Sequence, residues 1–328
     1  MTDHLTLHRL VADPLNESVR LFDAELESRE PFVRELCARI SRYRGKMLRP
    51  TLLLLTARAC GGVRREHAVL AAVVEMVHIA TLVHDDVLDA ADTRRDAPTI
   101  HRMTGNEAAV LLGDYLISHA YHLCSSLESP RAARRIAAAT NRVCEGELMQ
   151  VHRRGDWSLD EGAYIAIIRA KTAELTRAAC ELGAAFAGAD EAIVRAMGDY
   201  GDDLGVAFQI VDDLLDLTAE EAEMGKTLGR DADLEKPTLA AIRFMATATE
   251  ARRRELMALM GEADSGTTER DRRGRIRGLL ESAGALGYAH ETARRYVASA
   301  AGHLACLPES AAREALRTAA GFVLERRR

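Results

Sequence analysis

Residues 69–89 read VLAAVVEMVHIATLVHDDVLD, an apolar run that ends in three aspartates. Between Val69 and Val83 it is interrupted by Glu75 and His78, and it is too short to span a bilayer, so no integral membrane segment is expected. It reads instead as a helix buried in a protein core. The same composition extends outward from it. Alanine, leucine, arginine and glutamate fill long stretches, and these residues lose little side-chain freedom in a helix. The alternation of Val, Ile, Thr and Tyr that marks strands is hard to find. With 48% of the chain hydrophobic, a sizeable core can form. The expected fold class is all-α, one large helical domain over residues 1–328.

Periodic segments at 15–45, 50–60, 66–90, 99–127, 131–152, 159–187, 190–218, 236–260, 276–304 and 309–327 predict about ten or more helices. Pro31, Pro50, Pro98, Pro130, Pro237 and Pro308 sit where helices can begin, since proline is tolerated in a first turn. Gly261 to Gly274 is polar and weakly periodic, and is expected to be a surface loop. The 44 basic and 50 acidic residues are well mixed, which argues against a nucleic-acid partner. Six scattered cysteines without a CxxC pair read as reduced thiols, and the N-terminus lacks a signal-peptide pattern, so a cytoplasmic protein is expected.

The chemistry begins at the end of the opening stretch. On a helix, residues four apart stack on one face, so Asp85 and Asp89 lie one turn apart with Asp86 beside them. Three carboxylates this close repel one another unless a cation neutralises them. Oxygen-only ligands of this kind suit Mg²⁺, which completes its shell with water and substrate phosphate. The spacing returns at Asp212, Asp213 and Asp216, again inside an apolar run. A single DDxxD is more often a solvated acidic face, but two identical spacings in apolar surroundings favour a metal site. Glu75 and His78 form a Glu-x-x-His pair of the kind found in di-iron bundles. That reading needs a second such pair, and the chain has none.

Basic residues surround both triads: Lys46 and Arg49, Arg94 and Arg95, Lys171 with Thr172, then Lys226 and Lys236. Diphosphates need fixed cations as well as metals to orient them. A surface lysine or arginine is usually only solvated. Lys171 is the better candidate, since its helical neighbours are largely apolar. His78, two turns before Asp85, would by default be a core histidine.

Order and spacing together resemble the trans-polyprenyl diphosphate synthase family over about residues 40–245. The matching segments are Gly45-Lys46-Met47-Leu48-Arg49-Pro50, Glu75-x-x-His78 leading into Asp85-Asp86-x-x-Asp89, and Asp92-Thr93-Arg94-Arg95 with Pro98-Thr99. They continue through Gly113-Asp114, Gly146-Glu147, Lys171-Thr172-Ala173, Phe208-Gln209-x-x-Asp212-Asp213-x-x-Asp216, Gly225-Lys226 and Asp233 to Thr238. Where many relatives carry a glycine before the lysine at 236, this chain has Glu235.

The resemblance implies an isoprenoid-synthase fold around a central cavity and a head-to-tail condensation of isopentenyl diphosphate with an allylic diphosphate. Asp85 and Asp89, supported by Asp86, would hold two Mg²⁺ ions, and Asp212, with Asp213 and Asp216, a third. Arg94, Lys171, Thr172, Gln209, Lys226 and Lys236 would contact the allylic diphosphate. Lys46, Arg49, His78 and Arg95 would bind isopentenyl diphosphate. A homodimer is implied as well. Ala80 and Thr81 are small where short-chain relatives place bulk, so a product longer than farnesyl diphosphate is expected, with Tyr121 and His122 as candidate floors of its tunnel. Two other readings compete. A class I terpene cyclase would carry an Asn/Asp-x-x-Ser/Thr-x-x-x-Glu second motif, which is not what stands at Asp212. A non-catalytic subunit of a heteromeric synthase would be expected to have lost aspartates.

Overall fold

The computed structural model describes residues 7–40, 43–95, 97–218, 230–261 and 268–325. Helices carry nearly all of it. In chain order they are α1 (Ala12–Glu25), α2 (Pro31–Ile40), α3 (Leu48–Cys60), α4 (Arg65–Leu88), α5 (Ile100–Thr104), α6 (Asn106–Ser125), α7 (Pro130–His152) and α8 (Glu161–Ile168). A π-helical segment, Arg169–Ala173, joins α8 to α9 (Glu174–Ala187). Then follow α10 (Glu191–Thr218), α11 (Arg230–Asp233), α12 (Leu239–Thr247), α13 (Glu250–Gly261), α14 (Glu269–Ser282), α15 (Ala285–His303) and α16 (Ala311–Leu324).

Helix α4 carries the opening stretch and is apolar on every side, which buries it all round. Val73, Val74, Met76, Ile79 and Ala80 are fully covered. At 24 residues α4 is longer than the apolar run alone suggested, and by length and composition it could cross a membrane; 78% of its most apolar window, however, is buried inside the protein. It behaves as a core helix, packed against α1, α3 and α6. A second layer is built on α10, which packs against α9 and α15, while α9 also meets α3. Buried apolar side chains from Leu7 to Val323 join in one hydrophobic core.

The expected helices exist, but several are divided. The segment 15–45 breaks between Glu25 and Pro31, and 99–127 breaks at Gly105 (φ 88°). The segment 236–260 begins only at Leu239 and parts at Ala248, which takes an extended conformation. The segment 276–304 parts at Gly284 (φ 69°). Of the expected loop from 261 to 274, residues 262–267 lie outside the described residues, while Gly261 belongs to α13 and α14 starts at Glu269, capped by the Thr268 side chain. Pro98 does not open a helix. It lies in a two-residue antiparallel hairpin, β1 (Thr93–Arg94) with β2 (Ala97–Pro98), just after the first triad.

Candidate active site

The first triad ends α4 and the second lies in the last turns of α10. What stands between them is the π segment. Its extra backbone residue shifts the side chains that follow, a distortion that recurs at functional sites. Two glycines allow neighbouring helices to close on it. A Cβ on Gly146 of α7 would lie 2.5 Å from the Lys171 amide nitrogen, and one on Gly205 of α10 would lie 2.4 Å from Ala173 Cα.

Adjacent residues of this segment address different triads. Lys171 Nζ lies 3.7 Å from Asp85, forms an ion pair with Glu147 and donates to Gln150 (2.9 Å). Thr172 donates to Gln209 (2.7 Å), which in turn donates to Asp213 (2.7 Å). A second bridge comes from Lys236. Its Nζ lies 3.1 Å from both Asp89 oxygens and 3.7 Å from Asp231, whose backbone N–H donates to Asp216 (3.2 Å). The two triads therefore face a common space crossed by lysines.

The electrostatics match. Burial opposes the charge on Lys171, yet the carboxylates of Asp85 and Glu147 prevail and hold it above the ordinary lysine range. Burial, with the nearby Asp85 charge, pushes Glu147 up to about 7. Burial, with the nearby Asp231 charge, pushes Asp213 up to about 8. Carboxyl groups raised in this way are short of positive charge, and an all-oxygen donor set short of charge suits a hard divalent cation.

Asp86 is placed differently from its neighbours. It is 1% exposed and turned inward. Arg94 grips it from Nε (2.9 Å) and Nη2 (2.7 Å), and the Tyr43 hydroxyl donates to it at 2.8 Å. The same hydroxyl accepts from the Ile100 amide (3.1 Å), so Arg94 of the hairpin and the start of α5 are both tied to the end of α4. Arg94 is thus committed to Asp86 rather than to the space between the triads.

The other proposed anion ligands gather one helix layer away. Arg49 lies 3.2 Å from Nε2 of His78. Burial and the neighbouring arginines 49, 94 and 95 keep His78 well below the ordinary histidine range, hence neutral. Glu75 is buried near Arg49, Arg95 and Arg44, and burial still lifts it to about 7. The Arg95 guanidinium sits against Gly45, beside Lys46. Lys226 lies outside the described residues, as does the segment 219–225 that precedes it.

Backbone strain marks the same region. The non-glycine residues with positive φ are Met47, Ala90, Arg95 and Glu235 among the described residues. They adjoin Lys46, Asp89, Arg94 and Lys236 respectively, as strain at functional sites would lead one to expect. Glu235, at φ 47°, occupies the left-handed region that glycine adopts freely.

Of the chain-length candidates, Ala80 is fully buried and Thr81 donates to the His78 carbonyl (2.7 Å). Tyr121 packs half-buried against the core. His122 faces outward, 77% exposed, and meets Glu25. Sequence reasoning missed several partners: Glu147 and Gln150 beside Lys171, Tyr164 donating to Asp213 (2.6 Å), and Arg154 at 3.3 Å from Asp89. Glu147 stood within a recognised segment, yet nothing in its spacing showed that it would meet Lys171.

Two carboxylate triads with lysines between them, on an all-α scaffold, are an arrangement suited to polyanionic substrates held through divalent cations. The chain matches the family described as Polyprenyl synthetase over residues 30–273, wider than the segments quoted above, and it belongs to that family. It is a trans-prenyltransferase. It is 35% identical over 305 residues to an all-trans-nonaprenyl-diphosphate synthase (geranyl-diphosphate specific) of Rhodobacter capsulatus, covering 92% of this chain and 91% of the relative. A short chain isoprenyl diphosphate synthase of Methanothermobacter thermautotrophicus is also 35% identical, over 86% of each chain. The crystal structure of a polyprenyl synthase from Caulobacter crescentus CB15, complexed with calcium and isoprenyl diphosphate, superposes with a TM-score of 0.93. That chain is 36% identical, with 99% of this chain and 98% of that one covered. Membership in this family sets aside the terpene-cyclase reading.

Proposed function

We propose that this chain, acting as one domain over residues 1–328, condenses isopentenyl diphosphate head-to-tail with an allylic diphosphate and releases a linear trans-polyprenyl diphosphate longer than farnesyl diphosphate. The observation that carries the reading is the π segment, where Lys171 reaches one aspartate triad and Thr172 connects to the other. A diphosphate lying between the triads would meet cations from both sides.

Mg²⁺ is the expected ion, three per site, with Asp85 and Asp89 of the first triad and Asp212, Asp213 and Asp216 of the second as ligands. When bound, such ions neutralise diphosphate oxygens and favour their departure. The protein's own part is positional and electrostatic. Cleavage of the allylic C–O bond leaves the electron pair on the diphosphate, where Lys171, Lys236 and Lys226 stabilise it. The isopentenyl double bond attacks the allylic carbon to form the new C–C bond, and loss of a proton to the released diphosphate restores an alkene. Lys46, Arg49 and Arg95 hold the second diphosphate, and the neutral His78 contributes a hydrogen bond. Asp86 acts indirectly, by fixing Arg94 and the hairpin. No Ser, Cys or His nucleophile is needed.

Subunit contact is proposed across α6 and α7. These contacting helices expose Val110 (41%), Leu111 (67%), Leu148 (70%), Met149 (43%) and Val151 (41%), apolar side chains that a homodimer would cover. The free cysteines accord with a cytoplasmic location.

Turnover of labelled isopentenyl diphosphate with geranyl or farnesyl diphosphate tests the reading. Activity is expected with Mg²⁺, to vanish with a chelator, and to fall in Asp85→Asn and Asp212→Asn. Full activity in either variant would overturn the assignment of the triads.

A further inference from the structure

Apart from the aspartate triads, two histidines and a glutamate converge on one point. His119 and His122 stand one turn apart on α6, and Glu25 is the last residue of α1. Oε1 of Glu25 lies 2.9 Å from Nδ1 of His119 and 2.6 Å from Nδ1 of His122. One ligand atom from each of the three residues falls within 4.8 Å of the others. The Glu25 side chain is only 13% exposed, so its carboxylate is held in place. The Tyr115 ring packs on His119 at 4.2 Å between centroids and orients it. His122 closes the group from the solvent side.

We propose that Glu25, His119 and His122 form a binding site for a divalent first-row transition ion of the zinc class. The ligand atoms are the Nδ1 atoms of both histidines and a carboxylate oxygen of Glu25, with water in the open fourth position. Two imidazoles and one carboxylate suit zinc and its neighbours, whereas the oxygen-only aspartate triads suit magnesium. The chain therefore sorts ions by donor type. Ion binding needs the Nδ1 lone pair of each histidine, so the ring N–H must sit on Nε2 in the bound state. Metal–ligand bonds of about 2.0–2.2 Å at tetrahedral angles require the nitrogens and oxygen to part slightly, and the exposed His122 ring has room to swing. The bound ion would clasp α1 to α6 across 94 and 97 residues of sequence.

The test uses the untagged full-length chain, stripped of metal and dialysed against Zn²⁺ in a large excess of Mg²⁺ so that the triads are occupied. One retained Zn²⁺ per chain is expected, with a raised melting temperature. Co²⁺ in its place should give the visible absorption of a site with nitrogen ligands. Glu25→Gln and His122→Gln should each weaken retention at least about tenfold and abolish the rise in melting temperature. His122 is 77% exposed, so His122→Gln costs little packing and keeps the test valid if Glu25→Gln misfolds. No retained Zn²⁺ in wild type, or equal retention in His122→Gln, would overturn the proposal.

Discussion

Lys171 is where burial and charge compete most directly in this protein. Its side chain is 15% exposed, yet the ammonium is held in the charged form by Asp85 and Glu147. A charge kept in a site with little water acts on a leaving diphosphate far more strongly than one in solvent. Lys171→Met is expected to lower kcat by about a hundredfold or more with the fold intact, as read by steady-state kinetics beside circular dichroism. A loss under threefold would remove Lys171 from the chemistry. Glu75 gives a prediction about stability. It ionises at about 7 in the fold against an ordinary 4.5, so its contribution is complete below about pH 4.5 and is lost as pH rises through 7. The shift corresponds to about 3 kcal/mol. His78, depressed by burial and three arginines, acts in the opposite sense: its contribution is present above the ordinary 6.5 and is lost as pH falls. Denaturant melts of wild type and Glu75→Gln at pH 5 and pH 8 separate the two. The variant is expected to lose less stability than wild type on going from pH 5 to pH 8, and parallel curves would show Glu75 ionised throughout.

Among the elements, the π segment depends on what flanks it. Gly205 leaves no room for a Cβ against Ala173, so Gly205→Ala must push α10 and the segment apart. Overpacking of this kind costs about 1–3 kcal/mol. Gly205→Ala should lower the melting temperature and also reduce kcat, because Lys171 and Thr172 move with the backbone. The loop before Lys236 should behave in the opposite way. Glu235→Gly relieves a left-handed residue and is expected to raise stability by roughly 1 kcal/mol in a denaturant titration, without loss of turnover. These elements also show where the sequence was legible. Helix content followed from composition, and the triads from spacing along single helices. The π insertion could not be foreseen, since it depends on how closely Gly146 and Gly205 approach from other helices. Nor could the inward turn of Asp86, which rests on Tyr43 and Arg94 meeting it in space. The breaks at Gly105 and Gly284 carried a usable signal, a glycine within a periodic run.

For the whole molecule, one helix serves both the candidate site and the exposed apolar residues of the proposed subunit contact. Helix α7 contributes Gly146 and Glu147 to the site and exposes Leu148 in the next position. Replacing Leu111 and Leu148 together by glutamate should convert a dimer to monomers in analytical ultracentrifugation. A monomeric wild type would contradict the proposed subunit contact. Product length also belongs to this scale, because a tunnel floor is set by several helices at once. Tyr121→Ala should lengthen the product if Tyr121 is that floor, and an unchanged distribution would reject it. The most direct test of the whole account is to incubate the purified chain with isopentenyl diphosphate, Mg²⁺ and allylic primers of increasing length, and to resolve the products by mass spectrometry. A ladder of linear polyprenyl diphosphates extending beyond farnesyl is the expected result. No turnover of any primer by folded protein would contradict it and point to a subunit that needs a catalytic partner.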